Sequence, residues 1–341
     1  MPTFATLPPA ERALFFQQYQ QLHGVDPVIV EKDFWVCWLL GRIFARPELG
    51  NEAVFKGGTS LSKVFGAIAR FSEDVDLGIS PAALGWSEAE LESGSKRTWS
   101  ERLRPRLEAD CAKHVADHWR PVLEAEICKL LGAAPQGGSW MNYQLDEASR
   151  SPVLYFAYPG ALPRGIAYIA PEVKIEFGSL TDQRPTGHHR ITALVAELAP
   201  AAFSDFGADV VALEVERTFW EKATILHAEY HRPADNPLRD RFARHYADFA
   251  ALWRHPSAPE AVRRLDLLER VRNHKARFFA SGWANYSSAV PGSLRLLPPD
   301  GRLAELRADY AAMRPMFLGE PLSFEEMLAV LREAEQTLNR P

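Results

Sequence analysis

The sequence predicts an α+β protein: a mixed sheet flanked by helices through about residue 213, then a C-terminal helical domain over 214–341. Three observations carry this reading. Strand-like runs recur at Met141–Leu145, Val153–Tyr158, Ile166–Ile169 and Val173–Phe177, after a helical region. A strand, glycine turn, helix and second strand follow one another between Val54 and Ile79. From Glu214 onward only helical periodicity remains. The division into a core with N-terminal helices, 1–213, and a helical domain, 214–341, suits a chain of 341 residues that is 47% hydrophobic.

Taken in order, residues 9–22 and 27–46 have helical periodicity. The second run is so apolar around Phe34, Trp35, Trp38, Leu39, Leu40 and Ile43 that it must be buried against the sheet. Lys32 and Asp33 on that run read either as a buried ion pair or as substrate contacts. Val54 and Phe55 end a buried strand, and Gly57 and Gly58 permit a turn in which backbone N–H groups approach a phosphate with no Cβ in the way. Thr59 and Ser60 then begin a helix, expected over Leu61 to Ala69, with Leu61, Val64, Phe65 and Ile68 on one face and its positive end toward the glycines. A charged helical region spans about 87–132, and the Pro/Gly patch at 133–138 separates it from the strands that follow.

The run Asp74-Val75-Asp76-Leu77-Gly78-Ile79 alternates, so Asp74 and Asp76 project from one face of a strand. Two such carboxylates suit Mg²⁺ (or Mn²⁺), a hard cation that takes oxygen ligands and shares its shell with substrate phosphates. A P-loop is excluded, because Gly57-Gly58-Thr59-Ser60-Leu61-Ser62-Lys63 lacks the required spacing. Glu172, Lys174 and Glu176 likewise alternate with Val173, Ile175 and Phe177. On spacing alone that strand is equally an exposed amphipathic one.

Phe55-Lys56-Gly57-Gly58-Thr59-Ser60-Leu61-Ser62-Lys63, together with Arg70-Phe71-Ser72-Glu73-Asp74-Val75-Asp76-Leu77, closely resembles the AbiEii/AbiGii toxin family of the DNA polymerase β-like nucleotidyltransferases. Glu31-Lys32-Asp33-Phe34-Trp35, Lys174-Ile175-Glu176-Phe177, Glu221-Lys222-Ala223 and Arg244-His245-Tyr246-Ala247-Asp248 resemble further motifs of that family, in its order. The resemblance runs from about residue 28 to the C-terminal helices. It implies a polymerase β-like nucleotidyltransferase core and the toxin of a type IV toxin–antitoxin or abortive-infection module, with an AbiEi-like antitoxin as a partner.

For the site, the resemblance implies a catalytic set of Asp74, Asp76, Glu176, Lys222 and Asp248. Asp74, Asp76 and Glu176 are the metal ligands, with Glu176 near the attacking hydroxyl. Gly57, Gly58, Thr59, Ser60, Lys63, Lys174 and Lys222 are the nucleotide-binding set, Lys222 reaching the β- and γ-phosphates as a point charge and Lys174 either neutralising the carboxylate cluster or touching a phosphate. Glu221 is expected to hold a neighbouring arginine. Two readings stay open at Asp248, a plain i,i+4 ion pair with Arg244 or a site residue, and two at Lys63, a solvated helix residue or a phosphate contact.

Net charge is −5, and it is unevenly spread. The last 127 residues, from Val215, carry 19 basic and 17 acidic side chains, and the first 214 carry 20 and 27. Residues 231–277 hold 11 basic and 6 acidic ones. Arg263, Arg264, Arg272, Lys275 and Arg277, interleaved with Phe278, Phe279, Trp283 and Tyr286, are therefore the expected acceptor-binding patch. Such a patch suits RNA, and for this family a tRNA 3′ end leads. Phe278 and Phe279 are read as core. A same-fold enzyme acting on a protein or small molecule, and a non-catalytic NTP-binding protein, are the alternatives.

Cys111, His114 and His118 share one helix face at i, i+3 and i+7, and are donors that zinc accepts. One straight helix rarely supplies three ligands, and no fourth is indicated, so the sequence reading sets a zinc site aside. His188-His189 is read as a loop pair. Three cysteines at unrelated spacings, no apolar run of eighteen and no basic, apolar leader predict a cytoplasmic protein without membrane partners.

Overall fold

A computed structural model describes residues 2–93, 98–147, 149–163, 170–279 and 281–340. The expected strand at 166–169 lies outside the described residues. The chain divides into two compact units, one of residues 1–64 and 73–212, the other of residues 65–72 and 213–341.

The first unit is built on seven strands: β1 Ala53–Lys56, β2 Val75–Ile79, β3 Met141–Leu145, β4 Pro152–Phe156, β5 Val173–Gly178, β6 Thr186–Thr192 and β7 Gly207–Leu213. Their spatial order is β3-β4-β5-β2-β1-β7-β6. β2 runs antiparallel to β1 and parallel to β5, and β1 runs parallel to β7, so the sheet is mixed. Helix Pro27–Phe44 opens with Asp26 accepting from the Val28 amide (2.9 Å) and proline in its first turn. Nearly all of it is buried, and Phe34, Trp35 and Trp38 pack into the same core as Phe55, Leu77, Phe156 and Phe177 of the sheet.

Three sequence expectations need correction here. The helix after the glycines covers Gly57–Lys63, starting two residues early and stopping six short of Ala69. The apolar face read as one helix is shared between units: Leu61 and Val64 stay in the first, while Phe65 and Ile68 belong to the second. Gly66, at φ +60°, marks the break. Strands β6 and β7 lie outside the sequence expectation; in β6, Thr-Gly-His-His-Arg-Ile-Thr, Ile191 alone is a large apolar residue, so almost no alternation shows. His188 and His189 therefore lie on a strand, where alternation sends them to opposite faces, and they are not a loop pair.

The second unit is helical, with Val215–Tyr230, Ala243–Arg254, Leu265–Phe278, Leu303–Ala312 and Phe324–Leu338 its longer helices. Residues 65–72 join it as an extended strip. The Phe71 amide donates to the Met316 carbonyl (2.7 Å), and the Leu318 amide donates to the Ala69 carbonyl (3.0 Å). Among the described residues no helix is long and apolar enough to cross a membrane.

Candidate active site

Register on β2 places the carboxylates. Asp76 lies opposite Lys56 of β1 on one side and Glu176 of β5 on the other, so three polar side chains form a row across the middle of the sheet. Asp74 enters the same strand one pleat earlier, on the face of Asp76. Burial first, and then the charges of Glu73, Glu176 and Asp76, push the Asp74 carboxyl up to about 6, with Lys174 partly opposing. The Lys174 ammonium is ion-paired with Glu176 Oε1, which agrees with the first of its two sequence readings, neutralising the carboxylate cluster.

The glycine turn closes on this row. Gly57 has φ +83°, and a Cβ there would run into the Asp76 carboxylate, so only glycine allows the approach. The Thr59 hydroxyl donates to the Asp74 carbonyl, and the Ser60 hydroxyl donates to the Gly57 carbonyl (3.0 Å). Both side chains are fully buried, so their hydroxyls brace the turn and are not presented to a ligand. What the turn can present is backbone, at Gly57, Gly58 and the two residues after them.

Charged groups beneath the turn are paired among themselves. Lys63 Nζ donates to Asp33 Oδ1 (2.7 Å), and the other Asp33 oxygen accepts from the Leu194 amide (2.7 Å). Burial works against the Lys63 cation, but Asp33 and Cys37 together outweigh it and leave its pKa raised. Lys63 is thus neither solvated nor directed at a phosphate. Lys32 and Asp33 are not each other's partners, since Lys32 pairs with Glu73 (2.6 Å), the residue before Asp74.

The second unit holds its own buried network. Arg70 clasps Asp248 with Nε to Oδ1 (2.7 Å) and Nη2 to Oδ2 (2.9 Å), and Lys222 Nζ adds a third bond to Oδ2 (2.7 Å). Lys222 also meets His245 Nδ1 at 3.2 Å. Burial alone would raise the Asp248 carboxyl, but the Arg70 and Lys222 cations hold it far below the usual carboxylate range. The same burial pulls Lys222 down, only partly offset by Asp248, and drives His245 well below an ordinary imidazole. The intrahelical pairing of Asp248 with Arg244 is therefore replaced by a link to a distant segment. Arg70 and His245 were given no role from sequence, although both stand inside motifs that the resemblance covers. Glu221 does hold an arginine, Arg217, at 3.1 Å.

Of the expected acceptor patch, Arg263 pairs with Glu260, Arg264 with Asp266 and Arg272 with Glu269, while Arg277 lies over the Phe278 ring. Lys275 does not belong to such a surface: its ammonium donates to the Glu221 carbonyl (2.9 Å), and desolvation pushes it down to about 7. Phe279 is 42% exposed, contrary to a core assignment.

Whether the first cluster suits a divalent cation is a question of donors. Asp74, Asp76 and Glu176 offer only carboxylate oxygens, the hard ligands that Mg²⁺ and Mn²⁺ prefer. Burial first and the neighbouring carboxylates after it raise the Asp74 carboxyl, and a cation held there would favour its ionised form.

A mixed seven-stranded sheet with helices and a carboxylate row beside a glycine turn is an arrangement suited to a nucleotidyltransferase. The family model for the nucleotidyl transferase AbiEii toxin, type IV toxin–antitoxin system, matches residues 38–330, and the chain belongs to that family. Among solved structures it is similar in fold to MenT4, a nucleotidyltransferase toxin from Mycobacterium tuberculosis H37Rv, at a TM-score of 0.52 and 16% identity, over 97% of this chain and 90% of that one. No curated protein matches by sequence.

Proposed function

We propose that the protein transfers a nucleoside monophosphate from an NTP to the 3′ hydroxyl of an RNA, a tRNA end foremost, and thereby blocks translation in a toxin–antitoxin setting. The observation that carries this is the convergence of Gly57 on Asp76, with Glu176 next to Asp76 in register. In the reaction the acceptor oxygen bonds to the α-phosphorus, the bond to the bridging oxygen breaks, and pyrophosphate leaves. Asp74, Asp76 and Glu176 would hold Mg²⁺ (or Mn²⁺). When bound, such an ion polarises the phosphate oxygens and offsets their charge. Glu176 accepts the proton of the attacking hydroxyl, and Lys174 on its Oε1 fixes the direction of that carboxylate.

Lys222 is proposed, from the family resemblance, to neutralise the leaving pyrophosphate. Asp248 and Arg70 position it. Arg263, Arg264, Arg272 and Arg277 are proposed to contact the acceptor backbone. The family's toxin–antitoxin setting favours a cognate antitoxin as partner. The acidic first 214 residues favour a second reading, in which the acceptor is a protein or small molecule. Incubation with each α-labelled NTP, total RNA and Mg²⁺ decides between them. Label is expected on the tRNA fraction; label confined to protein or a small molecule overturns the RNA assignment.

A further inference from the structure

Away from the carboxylate row, the sheet's leading strand is approached by two histidines. Glu52 directly precedes β1, at the end opposite Lys56 and Gly57, and so lies about 13 Å along the strand from the glycine turn. His114 ends the helical stretch Arg104–His114, and His118 falls in the wider-turned segment Val115–Trp119 that continues it. Wide turns of this kind are frequent at functional positions. Cys111, upstream in the regular helix, is buried in the core, while the two imidazoles stack at 5.0 Å, 29° apart. His114 Nε2 meets Glu52 Oε2 at 2.8 Å, and the same oxygen accepts from the Trp119 indole N–H (3.1 Å). Among the described residues His118 Nε2 makes a contact with the Glu48 carbonyl at 3.4 Å, long for a hydrogen bond.

Among the described residues, Glu52, His114 and His118 form a group whose donor atoms all lie within 4.8 Å of one another. We propose that Glu52, His114 and His118 bind one zinc ion that fastens the helical stretch to the head of β1, separate from the site of nucleotidyl transfer. With Zn–N and Zn–O bonds near 2.0–2.2 Å, tetrahedral donors stand about 3.3 Å apart. The Glu52–His114 contact has to open by about half an ångström and the wider separations have to close by at most about 1.5 Å, adjustments that rotamers supply. Two imidazoles and a carboxylate select zinc over magnesium, which takes oxygen donors, so the two sites differ in metal as well as in place. The fourth position is left to water. Cys111, the donor that the sequence pattern offered, is excluded: it is fully buried, and burial pushes its thiol up to about 12.

The test is calorimetric titration of chelator-treated full-length protein with ZnCl₂, accompanied by thermal unfolding. Wild type should take up one equivalent, and its Tm should rise. His114→Ala and His118→Ala should each weaken binding at least tenfold and abolish the Tm rise, while Asp74→Asn, which touches only the carboxylate row, should bind zinc as wild type does. His118→Ala should retain nucleotidyl transfer. Because His118 is partly exposed, its loss is not expected to unfold the protein, and circular dichroism of the variant verifies this. Co²⁺ in place of zinc should give tetrahedral visible bands that the variants lose. Absence of saturable one-equivalent binding, or equal affinity in the doubly substituted His114→Ala/His118→Ala protein, overturns the proposal.

Discussion

Replacing Asp248 with asparagine tests the buried network of the second unit. The substitution keeps shape but removes the charge that faces both Arg70 and Lys222, and one of its two acceptor atoms becomes an N–H donor. Asp248 is 1% exposed, Arg70 6% and Lys222 7%, so solvent cannot take over as partner. Three charge-assisted bonds are involved, at 2.7, 2.9 and 2.7 Å. Summed at about 1.5–3 kcal/mol each they set an upper bound, since bonds sharing one carboxylate are not additive. The cost expected for removing one member of a buried ionic network is about 3–5 kcal/mol. At about 3 °C per kcal/mol for a unit of this size, the transition of the second unit should fall by about 10–15 °C. Circular dichroism or differential scanning calorimetry at neutral pH reads the shift. A double-mutant cycle with Arg70→Met should recover at least about 1 kcal/mol of coupling, because the orphaned guanidinium is then gone as well. A shift under about 2 °C, or coupling near zero, would show that the network is not held as described.

Lys222→Ala should raise KM for the NTP strongly while costing less stability than Asp248→Asn, because Arg70 still satisfies Asp248; an unchanged KM removes Lys222 from the phosphates. If the exposed arginines meet RNA phosphates, removing Arg263, Arg264 or Arg272 should flatten the salt dependence of RNA binding by about one unit per lost contact, read by fluorescence anisotropy at several ionic strengths. Their present pairs with Glu260, Asp266 and Glu269 contribute little and are easily displaced, so an unaltered slope in all three variants rejects the patch. His227 should make the second unit acid-labile. Its Nδ1 accepts from the Arg295 amide (3.1 Å) and its Nε2 lies 3.1 Å from the Asn285 carbonyl, an arrangement that only the neutral ring allows. Burial pushes it down to about 4. The unfolded chain, with a pKa near 6.5, then binds the proton that the folded one refuses, so stability is full above about pH 6.5 and is lost as pH falls toward 4. His227→Gln should lose much of that slope in Tm against pH, and a slope equal to wild type contradicts the assignment.

Much of the first unit was legible because its signals are local. The D-x-D alternation, the paired glycines and the Glu172–Phe177 pattern each fix which face a side chain takes, and register did the rest by setting Asp76 beside Glu176. The apolar residues of Pro27–Phe44 likewise announced burial, though not that its Lys32 and Asp33 would each find a partner elsewhere in the chain, Glu73 and Lys63. What stayed hidden depends on long-range pairing. Arg70 meets Asp248 across 178 positions, a distance at which the i,i+4 spacing of Arg244 is the only visible clue and a misleading one. β6 carries polar residues on both faces and so lacks the periodicity that reveals a strand. Cys111 and the two histidines lie near one face, but the thiol is buried in the core while His114 meets Glu52, a partner 62 positions away that no local spacing reveals.

The most direct test of nucleotidyl transfer at the carboxylate row is the rate of α-labelled NMP incorporation into RNA by Asp74→Asn and Asp76→Asn, each shown by circular dichroism to be folded. Both substitutions keep shape and remove charge from the proposed cation ligands. Transfer should be lost in both, with NTP supplied in excess and Mg²⁺ present. Activity within tenfold of wild type in both variants, about 1.4 kcal/mol of transition-state stabilisation, would contradict the assignment of this row as the catalytic centre.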